Sequence, residues 1–300
     1  MQTEWDPNGA DHGCRMPDRK GSESQECKKA GKRDGSGDPC RYQAFIRWML
    51  QLLLILVFCT SAGILYYHMV AVPEENQELA ETLKDDFPGE HLPEKTSGER
   101  QPAGEKSTVP PLVDLAALQE QYPAVKGWLA IPDTGIDYPV LQGSADEPEY
   151  YLRRNYNGES DINGSLFLQW NCDVREGENL VIYGHNMNSG VMFGNLDRYA
   201  SYDYCKEHPA VLFQTMDGVS VHTVVAVLKA DVSMFPFQQV SFQEPDGLFS
   251  YIAQAKALEL FDNGKNPAAD DVKQVLTLVT CSYEWNGARN IVVAVREPGS

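Results

Sequence analysis

The sequence predicts a mainly β domain, a sandwich or closed barrel, preceded by one transmembrane helix. Three observations carry this. Residues 48–72 form an apolar run without Asp, Glu, Lys or Arg; from residue 112 onward short apolar runs recur at close spacing between turn residues; and only two longer stretches of helical pattern interrupt those runs. With 300 residues, the chain has room for one substantial domain and appendages.

Taken in order, residues 1–44 are rich in Gly, Ser, Asp, Lys and Arg and poor in aliphatic side chains, so they cannot bury enough apolar surface to offset the entropy of ordering. They are assigned to a disordered tail. Residues 45–72 are assigned to the transmembrane helix, because about 20 apolar residues suffice to cross a bilayer core. A buried core helix rarely lacks charge over this length, and a cleaved signal peptide has a shorter apolar region closer to the N-terminus. Lys28, Lys29, Lys32, Arg33, Arg41 and Arg47 precede the run, whereas Lys84 is the only basic residue in the twenty after it. This asymmetry places the tail in the cytoplasm and the C-terminal bulk outside. Residues 73–111, acidic and broken by Gly and Pro, read as a solvated stalk.

The domain itself spans residues 112–297. A short helix is expected over 112–122, followed by strands over 127–131, 138–141, 165–169, 180–183, 210–214, 219–228, 275–281 and 289–296. The pairs Pro132-Asp133, Asn163-Gly164, Asp217-Gly218 and Asn286-Gly287 supply the turns. Helical stretches are expected around 196–207 and 248–263. The last strand ends almost at the C-terminus, so no second span or further domain is expected after it.

Composition excludes one class of partner. The chain carries 25 basic and 43 acidic residues, a formal charge of −18, with no basic stripe, so nucleic acid is not expected to bind. Seven cysteines without a C-x-x-C pair suggest neither a disulfide scaffold nor a zinc site, and no metal or cofactor is expected.

Cys281 ends one strand and Arg289 begins the next, with a seven-residue connection between them. A symmetric hairpin register sets them opposite each other, with β-carbons about 5 Å apart. A guanidinium at that distance favours a thiolate and can donate to an oxyanion. A nucleophilic thiol also needs a partner that protonates the leaving amine. Among six histidines, His185 is the candidate: it follows an apolar strand in Val-Ile-Tyr-Gly-His-Asn-Met, with Gly184 suited to a sharp turn. Taken alone, a histidine after a strand is more often a hydrogen-bonded turn residue, and a free cysteine often packs as a small hydrophobe. Cys205 with His208 is a rival pair on a helical stretch and reads as structural.

At these residues the chain resembles a class B sortase over about residues 112–297. The motifs, in order, are Gly127-Trp128-Leu129-Ala130-Ile131-Pro132-Asp133-Thr134, Ile136-Asp137-Tyr138-Pro139-Val140-Leu141-Gln142-Gly143, Tyr150-Tyr151-Leu152 and Gly164-Ser165-Leu166-Phe167-Leu168. Tyr183-Gly184-His185-Asn186-Met187 with Met192-Phe193, then Leu278-Val279-Thr280-Cys281, and Arg289-Asn290-Ile291-Val292-Val293-Ala294 complete the set. The resemblance implies an eight-stranded sortase-type β-barrel with an N-terminal helix and a helix in the connection before the cysteine strand. It also implies a cell-surface transpeptidase. Such an enzyme cleaves a C-terminal sorting signal after threonine through a thioacyl intermediate and passes the acyl group to an amine of the cell wall or of a pilin subunit. By position, Cys281 is the nucleophile, His185 the general acid and base, and Arg289 the group that holds substrate or oxyanion; Leu152, Tyr183 and Thr280 are placed in the substrate groove. Surface proteins bearing the signal and a peptidoglycan precursor or pilin amine are the implied partners. Many class B members carry serine two residues before the cysteine and an acid just after it, where this chain has Val279 and Ser282. A non-catalytic extracellular binding domain and a plain cysteine protease are the competing readings.

Overall fold

The computed structural model describes residues 39–89, 109–281, 285 and 287–297. The expected tail lies outside the described residues except for 39–44, which begin helix α1 (Pro39–Tyr66). Within α1, Tyr42–Tyr66 is long and apolar enough to cross a membrane, and it is the one such helix among the described residues. Its large apolar side chains, from Phe45 through Leu65, are exposed, as a bilayer-facing helix requires.

A five-residue π-helix, Tyr67–Ala71, follows α1 and leads into α2 (Val72–Asp86). The structure thus differs from the expected stalk: its first part is helical, while residues 90–108 lie outside the described residues. Acidic residues crowd α2, yet Asn76, Ala80 and Leu83 recur at i, i+4 and i+7 and are buried. Two of these three are polar or small, which hid the stripe in the sequence. Leu83 packs in a cluster with Val113, Leu115, Leu118, Val125, Trp128 and Leu141. Lys84 pairs with Asp137, whose other carboxylate oxygen accepts a 2.6 Å hydrogen bond from Trp128 Nε1.

The remaining elements are α3 (Leu115–Gln121), β1 (Val125–Ile131), β2 (Ile136–Gln142), β3 (Leu166–Leu168), β4 (Asn179–Tyr183), α4 (Tyr202–Glu207), β5 (Ala210–Thr215), β6 (Gly218–Ala230), α5 (Gly247–Ala257), β7 (Val275–Cys281) and β8 (Arg289–Arg296), with 3-10 helices at Tyr150–Arg153, Gly194–Ala200 and Ala269–Asp271. The eight strands close a barrel in the order β1-β2-β3-β4-β7-β8-β6-β5. Every expected strand is present. β1–β2, β5–β6 and β7–β8 are antiparallel neighbours, whereas β2–β3 and β4–β7 pair in parallel. A parallel pair needs a long crossover, and the connection from β4 to β7 contains six intervening elements, including α5.

Two turns follow their chemistry. Asp133 and Gly135 take left-handed φ of 62° and 75° between β1 and β2, and Gly218 takes 118° where β5 turns into β6. The first expected helical stretch resolves into a 3-10 helix, Gly194–Ala200, followed by the short α4; the second shortens to α5, whose Leu248, Tyr251, Ile252 and Ala255 face the core.

Candidate active site

The site begins with strand register. In the β7–β8 hairpin Cys281 is the direct partner of Arg289, and alternation places both side chains on one face. On the other side of β7, the parallel register pairs Tyr183 with Val279. Two residues further along each chain stand His185 and Cys281, so both pass the same end of the sheet. Three residues distant in sequence thus meet across three adjacent strands, β4, β7 and β8.

They line one groove of about 520 Å³ together with Pro148, Glu149, Leu152, Arg153, Phe167, Gln169, Trp170, Tyr183, Phe237, Gln238 and Val279. Part of its wall follows from the same pairing: Phe167 partners Tyr183 and Tyr183 partners Val279, forming a row across β3, β4 and β7. The Phe167 and Tyr183 rings stack at 5.4 Å, and Tyr183 Oη donates a 2.7 Å bond to Gln169 Oε1. Gln169 Nε2 in turn reaches the carbonyl of Gln238 at 2.8 Å, tying this wall to the connection before β7.

His185 is half-buried, and its Nε2 lies 2.7 Å from the carbonyl oxygen of Leu152. A carbonyl can only accept, so Nε2 carries the hydrogen and Nδ1 is left as the nitrogen that gains and loses a proton. Burial is the main influence on the imidazolium and holds its pKa below the ordinary histidine range. The Leu152 carbonyl opposes this, Arg153 adds to it and Asp161 opposes it. Gly184 has an ordinary negative φ, so the expected need for an unusual turn is not what keeps it glycine. A β-carbon there would sit 2.4 Å from Leu166 Cδ2 and 2.8 Å from Phe193 Cδ2, both fully buried side chains.

Of the other residues expected in the groove, Leu152 and Tyr183 line it. Thr280 borders it as well, but its hydroxyl donates a 2.8 Å bond to the carbonyl of Gly184 and it is only 2% exposed. Alternation along β7 turns that side chain away from Cys281. Phe167, Gln169, Trp170, Phe237, Gln238, Glu149 and Arg153 were not anticipated; the i, i+2 alternation of Phe167 and Gln169 along the apolar run 165–169 was the only signal for any of them.

The rival thiols are packed. Cys205 lies in the barrel core, and burial raises its pKa. Cys172, within reach of the Asn179 carbonyl, is pushed up to about 11 by the same cause. Cys281 is half-buried and opens on the groove.

A closed barrel of this strand order, with Cys281, Arg289 and His185 lining one groove at one end of the sheet, brings together the thiol, cation and imidazole that acyl transfer through a cysteine uses. A family model described as a sortase domain matches residues 129–297, and the chain belongs to the sortase family. Sortase B of Listeria monocytogenes is 31% identical over 173 residues, which cover 57% of this chain and 68% of that protein. The crystal structure of sortase B from Bacillus anthracis superposes with a TM-score of 0.59 at 26% identity, covering 75% of this chain and 97% of that one. Sortase B from Clostridium perfringens gives 0.55 at 25% identity, covering 61% and 100%. Within the family the chain is thus a class B sortase, a transpeptidase acting on sorting signals.

Proposed function

We propose that this sortase uses Cys281 as nucleophile, His185 as general acid and base, and Arg289 as oxyanion donor to join surface proteins to an amine of the cell wall. The observation that carries the reading is the cross-strand pairing of Cys281 with Arg289 at the mouth of a groove that also holds His185.

The Cys281 thiolate attacks the carbonyl carbon of the threonine in the sorting signal, and a C–S bond forms. The carbonyl oxygen takes up negative charge beside Arg289. Arginine has five N–H donors, of which one is directed to the Ala288 carbonyl at 2.9 Å. As the tetrahedral intermediate collapses, the C–N bond breaks and the leaving amine receives the proton of His185 Nδ1. An incoming amine then attacks the thioester, His185 takes its proton, and the Cys281 thiolate departs. The groove is of the size that encloses a short segment of ligand. Its walls, aromatic at Phe167, Trp170, Tyr183 and Phe237, suit an extended peptide.

The basic residues on the N-terminal side of the apolar run 48–72 support a cytoplasmic N-terminus and an extracellular catalytic domain. Protease added to intact cells should then remove the domain; a protected domain would reject the topology. The function is tested with the full chain in detergent and sorting-signal peptides, with and without peptidoglycan-type amines or a pilin lysine. Amide formation that requires Cys281 is the expected result, and the preferred amine separates wall anchoring from pilin joining. Hydrolysis unaffected by any amine would reduce the reading to a protease, and no cleavage of any sorting signal would sink it.

A further inference from the structure

The face of the β7–β8 hairpin opposite Cys281 and Arg289 carries a second set of contacts. Thr280 and Asn290 are direct partners there, one residue before Cys281 and one after Arg289. Asn290 Nδ2 donates to Asp197 Oδ1. The other carboxylate oxygen of Asp197 accepts from Asn186 Nδ2 at 2.8 Å, and the same amide group donates to the Cys281 carbonyl at 2.9 Å. Asn186 is the residue after His185. Both asparagines are buried, at 8% and 5% exposure, so their amides have few alternatives in solvent. Asp197 rides on the 3-10 helix Gly194–Ala200, which the chain enters from the His185 loop through the Asn186–Met192 bridge and the Phe193 N–H bond to the His185 carbonyl, 3.0 Å.

We propose that Asp197 is a positioning residue which, through Asn186 and Asn290, holds the segments bearing His185, Cys281 and Arg289 in their mutual alignment; this rests on the transpeptidase reading above. The residue type matters. A carboxylate offers acceptors on both oxygens, so it receives two amide donors at once and fixes the orientation of both asparagines. An asparagine in its place would accept from one and turn its own N–H groups toward the other. Because Asn186 also reaches the Cys281 carbonyl, one carboxylate braces the chain next to all three reacting groups while touching no substrate. Displacing a reacting group by about 1 Å can cost about 100-fold in rate, which sets the scale of what the brace protects.

The test uses the full chain in detergent with one sorting-signal peptide, reading kcat, KM and thermal unfolding. Asp197→Ala should lose about 10- to 100-fold in kcat with KM within about twofold of wild type, and Asp197→Asn should fall between the two. Asn186→Ala acts on the same brace, so the double variant with Asp197→Ala should be no slower than the slower single one. Arg198→Ala is the control: its guanidinium lies over the Tyr204 ring at 4.4 Å on the same 3-10 helix, and kcat should stay unchanged. A folded Asp197→Ala enzyme with wild-type kcat, a parallel rise in KM, losses that multiply in the double variant, or an equal loss in Arg198→Ala would each overturn the proposal. If Asp197→Ala does not fold, the same criteria apply to Asp197→Asn. Activity in Cys281→Ala would instead overturn the transpeptidase reading, so the two failures are distinguishable.

Discussion

Replacing Arg289 separates its part in the reaction from its part in the fold. In the folded protein the described hydrogen bond of this side chain is a local one, from Nη1 to the Ala288 carbonyl, and the guanidinium is only half-buried. Its removal should therefore cost about 1 kcal/mol of stability or less. As a donor to the oxyanion its removal should raise the barrier by about 2.7–4 kcal/mol, which is about 100- to 1000-fold in turnover. Arg289→Ala is expected to show that loss in single-turnover acylation, followed by mass spectrometry of the thioacyl enzyme, while unfolding at nearly the wild-type temperature. Arg289→Lys keeps the charge but not the planar fork, and should recover only part of the rate. Arg296 supplies the control. It is seven residues along β8, on the opposite face, and borders a different cavity with Thr223 and Lys265. Arg296→Ala should change acylation by less than about threefold, the level expected of a side chain remote from the oxyanion. Equal losses at both arginines, or full activity in Arg289→Ala, would refute the assignment.

Three further outcomes are expected. Gly184→Ala forces a β-carbon against Leu166 and Phe193 at 2.4 and 2.8 Å, and should cost about 1–3 kcal/mol of stability together with turnover, since His185 is the next residue; unchanged melting and rate would contradict the packing argument. His222, fully buried and beside Arg296, has its pKa pulled down to about 3 by burial first and that cation second. The unfolded chain then binds the extra proton below about pH 6.5, so stability is complete above that pH and falls as pH drops, by about 1.4 kcal/mol per unit. Between pH 7 and 5, His222→Leu should therefore lose about 2 kcal/mol less than wild type in denaturant titrations, and equal losses would rule the histidine out. Cys281→Ala should fold and form no thioacyl enzyme, whereas Cys205→Ala should lose about 1–2 kcal/mol of core packing and keep its turnover; the reverse pattern would move the nucleophile.

How much of this was legible in the sequence depended on whether the responsible contact was local. Strand positions were readable because apolar runs and turn residues are adjacent in the chain, and the Cys281–Arg289 pairing was readable because a seven-residue connection leaves a hairpin little freedom of register. The helix α2 was not, because its buried stripe of Asn76, Ala80 and Leu83 is too polar and too small to stand out among its acids. The His185 end of the site was suggested by a motif but could not be derived. What brings it to Cys281 is the parallel β4–β7 pairing, made across about 90 intervening residues that contain β5, β6 and α5. Periodicity carries no information about such a partner. The same limit applies to the Leu152 carbonyl, which selects the histidine tautomer from a 3-10 helix 33 residues upstream. A backbone acceptor has no side-chain signature at all. The contacts most closely tied to the chemistry are thus the ones that closure of the barrel creates, and a perturbation of those contacts at a residue that takes no part in the reaction, such as Asp197, should appear in the rate.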